Sequence, residues 1–508
     1  MQLKLNVEQL NGYDSVLQTQ LFQEESLELI VPDSYADIYR IVDTNGQIRL
    51  TGKSTNEGAF SVSGTLDICI LYEPEDRRGV CRLESKLPFT LKQDAKEVSA
   101  ETSCIAVPAL RSLESKTLNP RKLVIRADVG AQIKLYNPSR VQLCNGIADD
   151  WGGTVQQRCK EYTALIVSDV REKEFAVRDE IRLQSGPAGQ AEILCTTASA
   201  ICSSAKVIGN KLVFKGETKA AVYYQLEDHV YCSAATVPFS QIMELAQSGA
   251  ESECTVDLCF TAISADITGT DMRSADLNIE LLAQISVMEK RPVSLLCDAY
   301  STRETLSLER SVYTLRSHAG QAQCVKNVCQ TLQTEDHVRS IVYSSVQPVQ
   351  VGHTERPGDF GVDGLFAVRV MYINDDGMVR SLVKNIAVTG QLEEPAGSIV
   401  RLECISQGDV YAAPVADGLE VRFDVEFRWI MAVGTDIGNI TSADTGDNTE
   451  DKQERNASVL LRMPAEGEDL WQLAKCCGTT MDSICRANEL EGETLPRGRM
   501  LLIPRCSK

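Results

Sequence analysis

Apolar and polar residues alternate along much of the chain with the two-residue period of half-buried β-strands. In residues 419–429 the odd positions are apolar and the even positions are charged. Such alternation puts one face of a strand against a core and leaves the other face in water. Helix-type periodicity is scarce before about residue 460, the best candidate being a short connecting helix over 239–246. The pattern predicts antiparallel sheets packed as sandwiches.

One strand pattern recurs three times, with a period of about 150 residues. A glycine, seven strand-type residues and a tyrosine occupy 64–72, 216–224 and 364–372, and a polar turn follows each tyrosine. The first two copies continue to a Pro-Phe pair, Pro88-Phe89 and Pro238-Phe239. Another alternating strand lies further on in each copy, at 123–129, 277–283 and 419–425. Several features in the same order predict three homologous domains.

These repeats divide the chain into five segments. We expect β domains over residues 1–154, 155–307 and 308–434. Residues 435–457 are polar, acidic and poor in apolar side chains, which predicts a flexible linker, with a long surface loop as the alternative. Residues 458–508 form a separate small domain. The expected fold class is mainly β: three tandem antiparallel β-sandwich-like domains followed by a small βααβ domain.

Helix signals appear in this last segment. Asp469 stands at an N-cap position with Gln472 three residues later, the spacing of a capping box. Gly478 is the expected end of that helix, and Thr480 can cap a second one. The apolar residues of the first helix share one face: Leu470, Leu473, Ala474 and Cys477. A short strand over 499–504 closes the domain.

Charge and length narrow the class of protein. The 508 residues carry a formal net charge of −20, which disfavours nucleic acid and anionic membranes as partners. No apolar run reaches the roughly 20 residues of a membrane helix, so membrane insertion is not expected. The first residues lack the pattern of a signal peptide. We therefore expect a cytoplasmic protein.

Candidate chemistry is sparse. The 18 cysteines are dispersed without a Cys-x-x-Cys pair, so we expect free, mostly buried thiols. None of the four histidines has a partner at zinc-ligand spacing, and we expect no metal and no cofactor. Nucleophile-elbow, P-loop and dinucleotide motifs are missing, so no catalytic residue is predicted. Asp33 and Asp37 could form an acid–base pair, but a turn or cap role after Pro32 explains them more simply.

The order of features after residue 464 resembles the LysM domain, a βααβ domain best known for binding N-acetylglucosamine polymers. The resemblance rests on the turn at Gly467, on Trp471, on Asn488 and on Ile503-Pro504. Any small αβ module with a buried tryptophan is the alternative. The resemblance implies a ligand- or partner-binding groove between two loops, made of Gly467, Glu468, Asp469, Leu470, Leu490, Glu491 and Gly492. Where the family usually has Asp-Thr after the turn glycine, this chain has Glu-Asp.

Residues 29–38, which read Leu-Ile-Val-Pro-Asp-Ser-Tyr-Ala-Asp-Ile, and residues 119–123 carry a second resemblance. Together with the repeat, they resemble the SPOCS domain of spore-coat structural proteins in spore-forming Firmicutes. Tandem SPOCS-like domains followed by one LysM domain are similar to a clostridial family of coat morphogenetic proteins. That resemblance implies a place on the mother-cell side of the forespore surface, in the spore coat. It also implies a coat-basement ATPase as partner, bound through the LysM domain.

Three functions stay open at this point. The first is a non-enzymatic sporulation scaffold that recruits the spore-coat morphogenetic ATPase or other coat proteins. The second is a protein that binds peptidoglycan or N-acetylglucosamine glycan through the LysM groove. The third is a wall hydrolase targeted by that domain. The absence of an export signal and of a catalytic constellation in the sequence favours the first.

Overall fold

The computed structural model describes residues 2–76, 79–148, 154–183, 191–227, 229–246, 252–268, 274–356, 359–391, 398–446, 459–465, 467–490, 492, 494–496 and 498–504. Over most of this length the chain forms long antiparallel strands, and two short helices lie near its C-terminal end. The strands before residue 447 fall into three successive units of six.

The three units contain strands of similar length in the same succession. Unit 1 consists of β1 (Leu5–Ile30), β2 (Ile38–Asn56), β3 (Ala59–Pro74), β4 (Cys81–Asp94), β5 (Ser103–Asn119) and β6 (Lys122–Ile147). Unit 2 consists of β7 (Val155–Arg182), β8 (Glu192–Ile208), β9 (Lys211–Leu226), β10 (His229–Glu244), β11 (Ser252–Thr268) and β12 (Ser274–Ser301). Unit 3 consists of β13 (Thr305–Leu332), β14 (Val338–Arg356), β15 (Asp359–Asn374), β16 (Val379–Gln391), β17 (Ser398–Val415) and β18 (Gly418–Gly446).

Each unit is built from two antiparallel sheets with one strand order. The second, third and fourth strands form a meander: β2-β3-β4, β8-β9-β10 and β14-β15-β16. The first strand pairs along its length with the sixth, which also pairs with the fifth. An apolar core lies between the two sheets of each unit. The long sheets of units 1 and 2 join where Tyr13 pairs with Val167. The predicted mainly β, multi-domain fold class is confirmed.

The repeated glycine of units 1 and 2 lies under a phenylalanine of the neighbouring strand. Gly64 pairs with Phe89, and Gly216 pairs with Phe239. A Cβ atom added to Gly64 would lie 2.3 Å from Cζ of Phe89, and one added to Gly216 would lie 2.5 Å from Cζ of Phe239. The ring fills the space of the missing side chain, which shields the glycine backbone and pins the register of the two strands. The Pro-Phe pairs in the sequence supply these rings.

The middle strands of the three units meet in a shared apolar cluster. It includes Leu71 of β3, Tyr223 of β9 and Met371 of β15. These residues are equivalent, since each stands seven positions after the glycine of its repeat. The ring of Tyr223 also meets the ring of Tyr343 edge-on, with 5.6 Å between centroids. The units therefore pack around a common centre, which the sequence did not predict.

Polar contacts also join units 1 and 3. Arg369 forms an ion pair with Asp43, whose carboxylate is almost fully buried. The hydroxyl of Ser381 donates to the same carboxylate at 2.7 Å. A second buried ion pair links Arg380 Nη1 to Glu73 Oε1 at 3.0 Å. Each of these charges contacts its partner across the boundary between units, so the units depend on one another for charge compensation.

The first residues of the chain contact the end of unit 3. The Leu3 N–H donates to the Ala443 carbonyl at 2.8 Å. Leu3 is buried in a cluster that takes side chains from the long strands of all three units, namely Cys144, Ile147, Val155, Leu296, Ala299, Ile440 and Ala443. The start of unit 1 is therefore in direct contact with the end of unit 3.

The small βααβ domain follows unit 3 and consists of β19 (Val459–Arg462), α1 (Leu470–Cys477), α2 (Met481–Asn488) and β20 (Leu501–Pro504). Asp469 and Gln472 form a complete capping box, in which Asp469 accepts from the Gln472 N–H at 2.7 Å. Helix α1 ends at Gly478 in the left-handed conformation, with φ of 61°. Thr480 caps α2 by accepting from the Ser483 N–H at 3.1 Å. These predicted caps are confirmed, and the domain is called the tail below.

Two local predictions differ from the structure. Residues 239–244, expected to begin a short helix, belong to β10, because Phe239 to Glu244 pair in register with Gly216 to Lys211. Residues 435–446, expected to begin the linker, continue β18 and pair with β13 as far as Gly446 opposite Thr305. The rest of the expected linker lies outside the described residues. Strand pairing satisfies the backbone of 435–446 although its side chains are polar.

Candidate functional site

The tail packs against unit 2 through its tryptophan. The ring of Trp471 meets the ring of Tyr300 edge-on, with 4.9 Å between centroids. The indole N–H of Trp471 donates to Asp298 Oδ2 at 2.8 Å, and Lys475 Nζ lies 2.7 Å from both oxygens of that carboxylate. The hydroxyl of Tyr300 donates to the Thr479 carbonyl at 2.7 Å. These five residues form the tail dock.

The Asp298 carboxylate is the charged centre of the tail dock. Burial opposes its ionisation, but the hydrogen bonds from Lys475 and Trp471 outweigh burial and lower the pKa of Asp298. Arg310 of unit 3 approaches the same carboxylate at 3.3 Å. The dock therefore depends on an ionised aspartate of β12 that receives donors from the tail and from β13 of unit 3.

Most residues of the first predicted groove loop have structural partners. Glu468 accepts from Arg462 at 2.9 Å and from the Ala465 N–H at 2.9 Å. Asp469 caps α1 and also pairs with Arg158 of unit 2 at 2.8 Å. Leu470 is buried in the tail core, whereas Gly467 is exposed with φ of 85°. The polar groups of this loop are thus engaged in holding the tail together and onto unit 2.

The second predicted loop follows α2. The Leu490 N–H donates to the Cys485 carbonyl at 3.0 Å, and Glu489 before it adopts the left-handed conformation. Gly492 is exposed with φ of 98°, and Glu491 lies outside the described residues. Asn488, singled out in the sequence, is buried and joins α2 to β20 by accepting from the Leu502 N–H at 2.7 Å. Binding by the two loops stays a prediction.

The outer side of the tail sheet is an apolar surface that sequence analysis missed. Leu461 of β19 pairs with Leu502 of β20, and both side chains are exposed. They belong to a group of exposed apolar residues on this side of the tail, the tail face, made of Val459, Leu461, Met463, Met500 and Leu502. Intervening residues such as Leu501 and Ile503 are buried in the tail core. The signal was present as apolar residues at successive positions of both strands, where a one-sided sheet would alternate.

The two stretches that carry the SPOCS resemblance meet in unit 1. Arg121 forms ion pairs with Asp33 at 2.9 Å and with Asp37 at 2.8 Å. Its carbonyl accepts from the Val31 N–H at 2.9 Å, and the Ile38 N–H donates to the Pro120 carbonyl at 2.9 Å. Asp33 and Asp37 therefore fasten the β1–β2 turn to the β5–β6 turn. The ion pairs give Asp33 and Asp37 of this motif a structural role, which is to hold the two turns together.

The thiols and the remaining titratable groups offer little chemistry. The cysteines whose side chains the structure describes are free thiols. Burial raises the pKa of Cys104 to about 11 and that of Cys232 to about 12, which keeps both protonated and unreactive at neutral pH. In the part of the chain that the structure describes, no cluster of His, Cys, Asp and Glu is arranged to hold a metal ion. Neither described helix is both long and apolar enough to cross a membrane.

Comparison with known families gives two matches. The family model "SipL, SPOCS domain" matches residues 37–132 and 191–268, which lie in units 1 and 2. The LysM domain model matches residues 465–504 of the tail. No curated protein and no solved structure matched. Unit 3 lies outside the matched residues, and its likeness to units 1 and 2 rests on its strand order. The chain therefore combines SipL-type SPOCS segments with a C-terminal LysM domain, as its sequence predicted.

Proposed function

We propose that this protein is a non-enzymatic scaffold of the spore coat. In this proposal it lies at the forespore surface on the mother-cell side and recruits coat morphogenetic proteins, among them the coat-basement ATPase. The SPOCS and LysM matches support a coat-associated protein with a binding module at its end. We further propose that the chain holds three β domains, with boundaries close to the expected residues 154 and 307 and with the third domain reaching beyond the expected residue 434 to Gly446, because β18 pairs with β13 up to that residue.

The observation that carries the proposal is the tail face. A cluster of exposed leucine, methionine and valine side chains gains free energy when a partner removes it from water. Glycans present hydroxyl groups, which need hydrogen-bond partners when they are buried. A surface without polar side chains between its leucines therefore suits a protein better than a sugar polymer. The tail dock holds this face in a fixed orientation on unit 2.

Glycan binding is the second candidate, and one observation favours it. The tail matches the LysM family, and the glycines of its two predicted groove loops, Gly467 and Gly492, are both exposed. Backbone groups beside exposed glycines can approach a ligand closely. In this alternative the protein binds peptidoglycan through the loops, and the tail face plays no part.

A binding experiment separates the two candidates. The full chain carrying Leu461→Ser and Leu502→Ser is compared with a Val312→Ser control, which changes an apolar residue of β13 that is 77% exposed. Both proteins are tested for co-sedimentation with purified coat-basement ATPase and with purified peptidoglycan. We expect the double variant to lose the ATPase, the control to retain it, and neither to sediment strongly with peptidoglycan.

Two results would contradict these proposals. One, which would rule out the tail face as the binding surface, is ATPase binding that is equal in the double variant, the control and the unaltered protein. The other is strong peptidoglycan binding by all three proteins together with no ATPase binding by any. Circular dichroism and thermal melting confirm in each case that the variants are folded.

A further inference from the structure

A cavity of about 600 Å³ lies where the three units meet. Its walls include residues of β5 from unit 1, of β8 and β11 from unit 2, and of β14 and β17 from unit 3. Each of these five is an edge strand of its sheet. Edge strands carry one side of unpaired backbone donors and acceptors and therefore accept additional strands readily. The volume falls in the range of known ligand sites.

The cavity follows the backbone edges of two of these strands. Residues 199–205 of β8 and 343–349 of β14 line it without interruption. Successive side chains of a strand point to opposite faces, so a cavity on one face would be lined by every second residue. A β-bulge at Ser203 interrupts the alternation in β8, and another lies at the end of the β14 run, but residues 199–202 and 343–348 are unbroken apart from these bulges, so the cavity extends along the edges themselves.

Elsewhere the same edges are covered by side chains of a neighbouring unit. Arg82 of unit 1 donates to the Ile193 carbonyl of β8 at 2.8 Å, and Gln47 accepts from the Ala198 N–H at 3.4 Å. The edge of β2, which does not line the cavity, is covered in the same way, since Arg369 of unit 3 donates to the Thr44 carbonyl at 3.0 Å. Side chains of unit 1 cover the edge of β8 from Ile193 to Ala198, and the first residue of β8 that lines the cavity is Ser199.

Small and uncharged side chains dominate the walls beside these edges. They include Ala109, Ser199, Ala200, Ser203 and Ala235. Such residues let another backbone approach closely. Two of the charges at the rim neutralise each other, since Lys134 pairs with Asp257 at 3.3 Å. An occupant with small, uncharged side chains is favoured over a strongly charged one.

We propose that this cavity binds an extended polypeptide segment of a partner protein, which joins the edge of β8 or β14 as an added strand. Each seven-residue run is about 20 Å long, enough for a bound segment of about six residues. Backbone hydrogen bonds to the edge would supply affinity, and the small wall residues would select small or β-branched side chains. The site is distinct from the tail face, so it gives the β units a recruiting role of their own.

Peptide selection followed by amide hydrogen exchange tests this site. A displayed library of random peptides of about nine residues is selected on the full-length protein, and the enriched peptide is synthesised. Hydrogen exchange of the full chain is then measured with and without it. Its affinity is also measured for Ala200→Phe, which enlarges a residue that lines the cavity and packs against the core of unit 2, and for Ala413→Phe, a half-buried position of β17 that does not line the cavity.

We expect an enriched peptide without proline that slows exchange within 199–205 or 343–349. Ala200→Phe should weaken its binding about tenfold or more, while Ala413→Phe leaves it unchanged. Failure to enrich any peptide, or protection confined to other segments such as the tail, would overturn the proposal. If Ala200→Phe does not fold, the exchange pattern of the unaltered protein decides. Loss of ATPase binding through the tail face would leave these results unaffected, so the two proposals fail separately.

Discussion

At Asp298 a single carboxylate connects the tail to the β units. Trp471 and Lys475 donate to it from the tail, and Arg310 approaches it from unit 3. A hydrogen bond to a charged group contributes roughly 1.5–3 kcal/mol, so the two donors from the tail give Asp298 a substantial share of the docking free energy. Asp298 is therefore a principal contact that fixes the tail on unit 2, beside the contacts of Tyr300 and Arg158.

We expect Asp298→Ala to release the tail from unit 2 while both parts stay folded. Small-angle X-ray scattering should show a larger radius of gyration, and limited proteolysis should remove the tail faster. Asp482→Ala, which changes an exposed aspartate of α2, serves as the control. Scattering curves that are identical for the two variants would contradict a docking role for Asp298.

The tail dock should also depend on pH. Because the docked state lowers the pKa of Asp298, its stabilisation is complete above the ordinary aspartate value of about 3.9 and is lost as the pH falls through the lowered value. We expect scattering to show a docked tail at neutral pH and an undocked tail in acid. The pKa of Asp469 is also lowered, by the hydrogen bond from the Gln472 N–H and by Arg158 of unit 2, so part of the response to acid does not depend on Asp298. We therefore expect the acid-induced undocking of Asp298→Asn to be smaller than that of the unaltered protein, but not absent. An equal step in both proteins would argue against Asp298.

At the scale of strands, the repeated glycine makes a sharp prediction. Gly64→Ala would bring Cβ against Phe89 at 2.3 Å and against the Arg49 carbonyl at 2.8 Å. Overpacking of this kind costs about 1–3 kcal/mol. Gly52, in the adjacent strand β2, has no atom within 4 Å of an added Cβ, so Gly52→Ala should be neutral or slightly stabilising. Urea unfolding measures the change in the free energy of unfolding for both variants. Equal changes would show that the Phe89 ring does not require a glycine at position 64.

Local sequence patterns predicted most strands and the helix caps, but they did not predict the strand conformation of two segments, 239–244 and 435–446. The caps at Asp469 and Thr480 require only neighbouring residues, so the sequence predicts them directly. Residues 239–244 have helix-favouring side chains, yet pairing with β9 makes them a strand. Residues 435–446 look like a linker, but β13 satisfies their backbone. In both cases a partner strand outweighs local preference.

The candidate site shows the same limit. Sequence resemblance selected Glu468 and Asp469 as groove residues, while the structure gives each an arginine partner, Arg462 and Arg158 respectively. Arg158 lies in β7, about 300 positions earlier, and no local pattern links it to the tail. The tail face and the inter-unit cavity likewise arise from packing between distant segments. Contacts between residues so far apart in the sequence can be identified only from the three-dimensional structure.

For the whole molecule, the buried ion pair between units 1 and 3 is the most testable connection. Asp43 is 2% exposed and has Arg369 and Ser381 as partners. We expect Arg369→Met to cost roughly 3–5 kcal/mol, because it leaves a buried carboxylate without its counter-charge. Adding Asp43→Asn should recover part of that loss. Chemical denaturation of the two single variants and the double variant measures the coupling, and strictly additive effects would contradict it.

The contact between Leu3 and Ala443 sets an order for biosynthesis. The cluster around Leu3 needs Ile440 and Ala443, which emerge from the ribosome some 440 residues later. At 5–20 residues per second that interval is roughly 20 to 90 s. During this time units 1 and 2 expose the surfaces that unit 3 will cover, such as Tyr223 and the Asp43 carboxylate. The first residues therefore reach their native contacts only after β18 has been made, and a chain that terminates before β18 leaves its own first residues without a binding place.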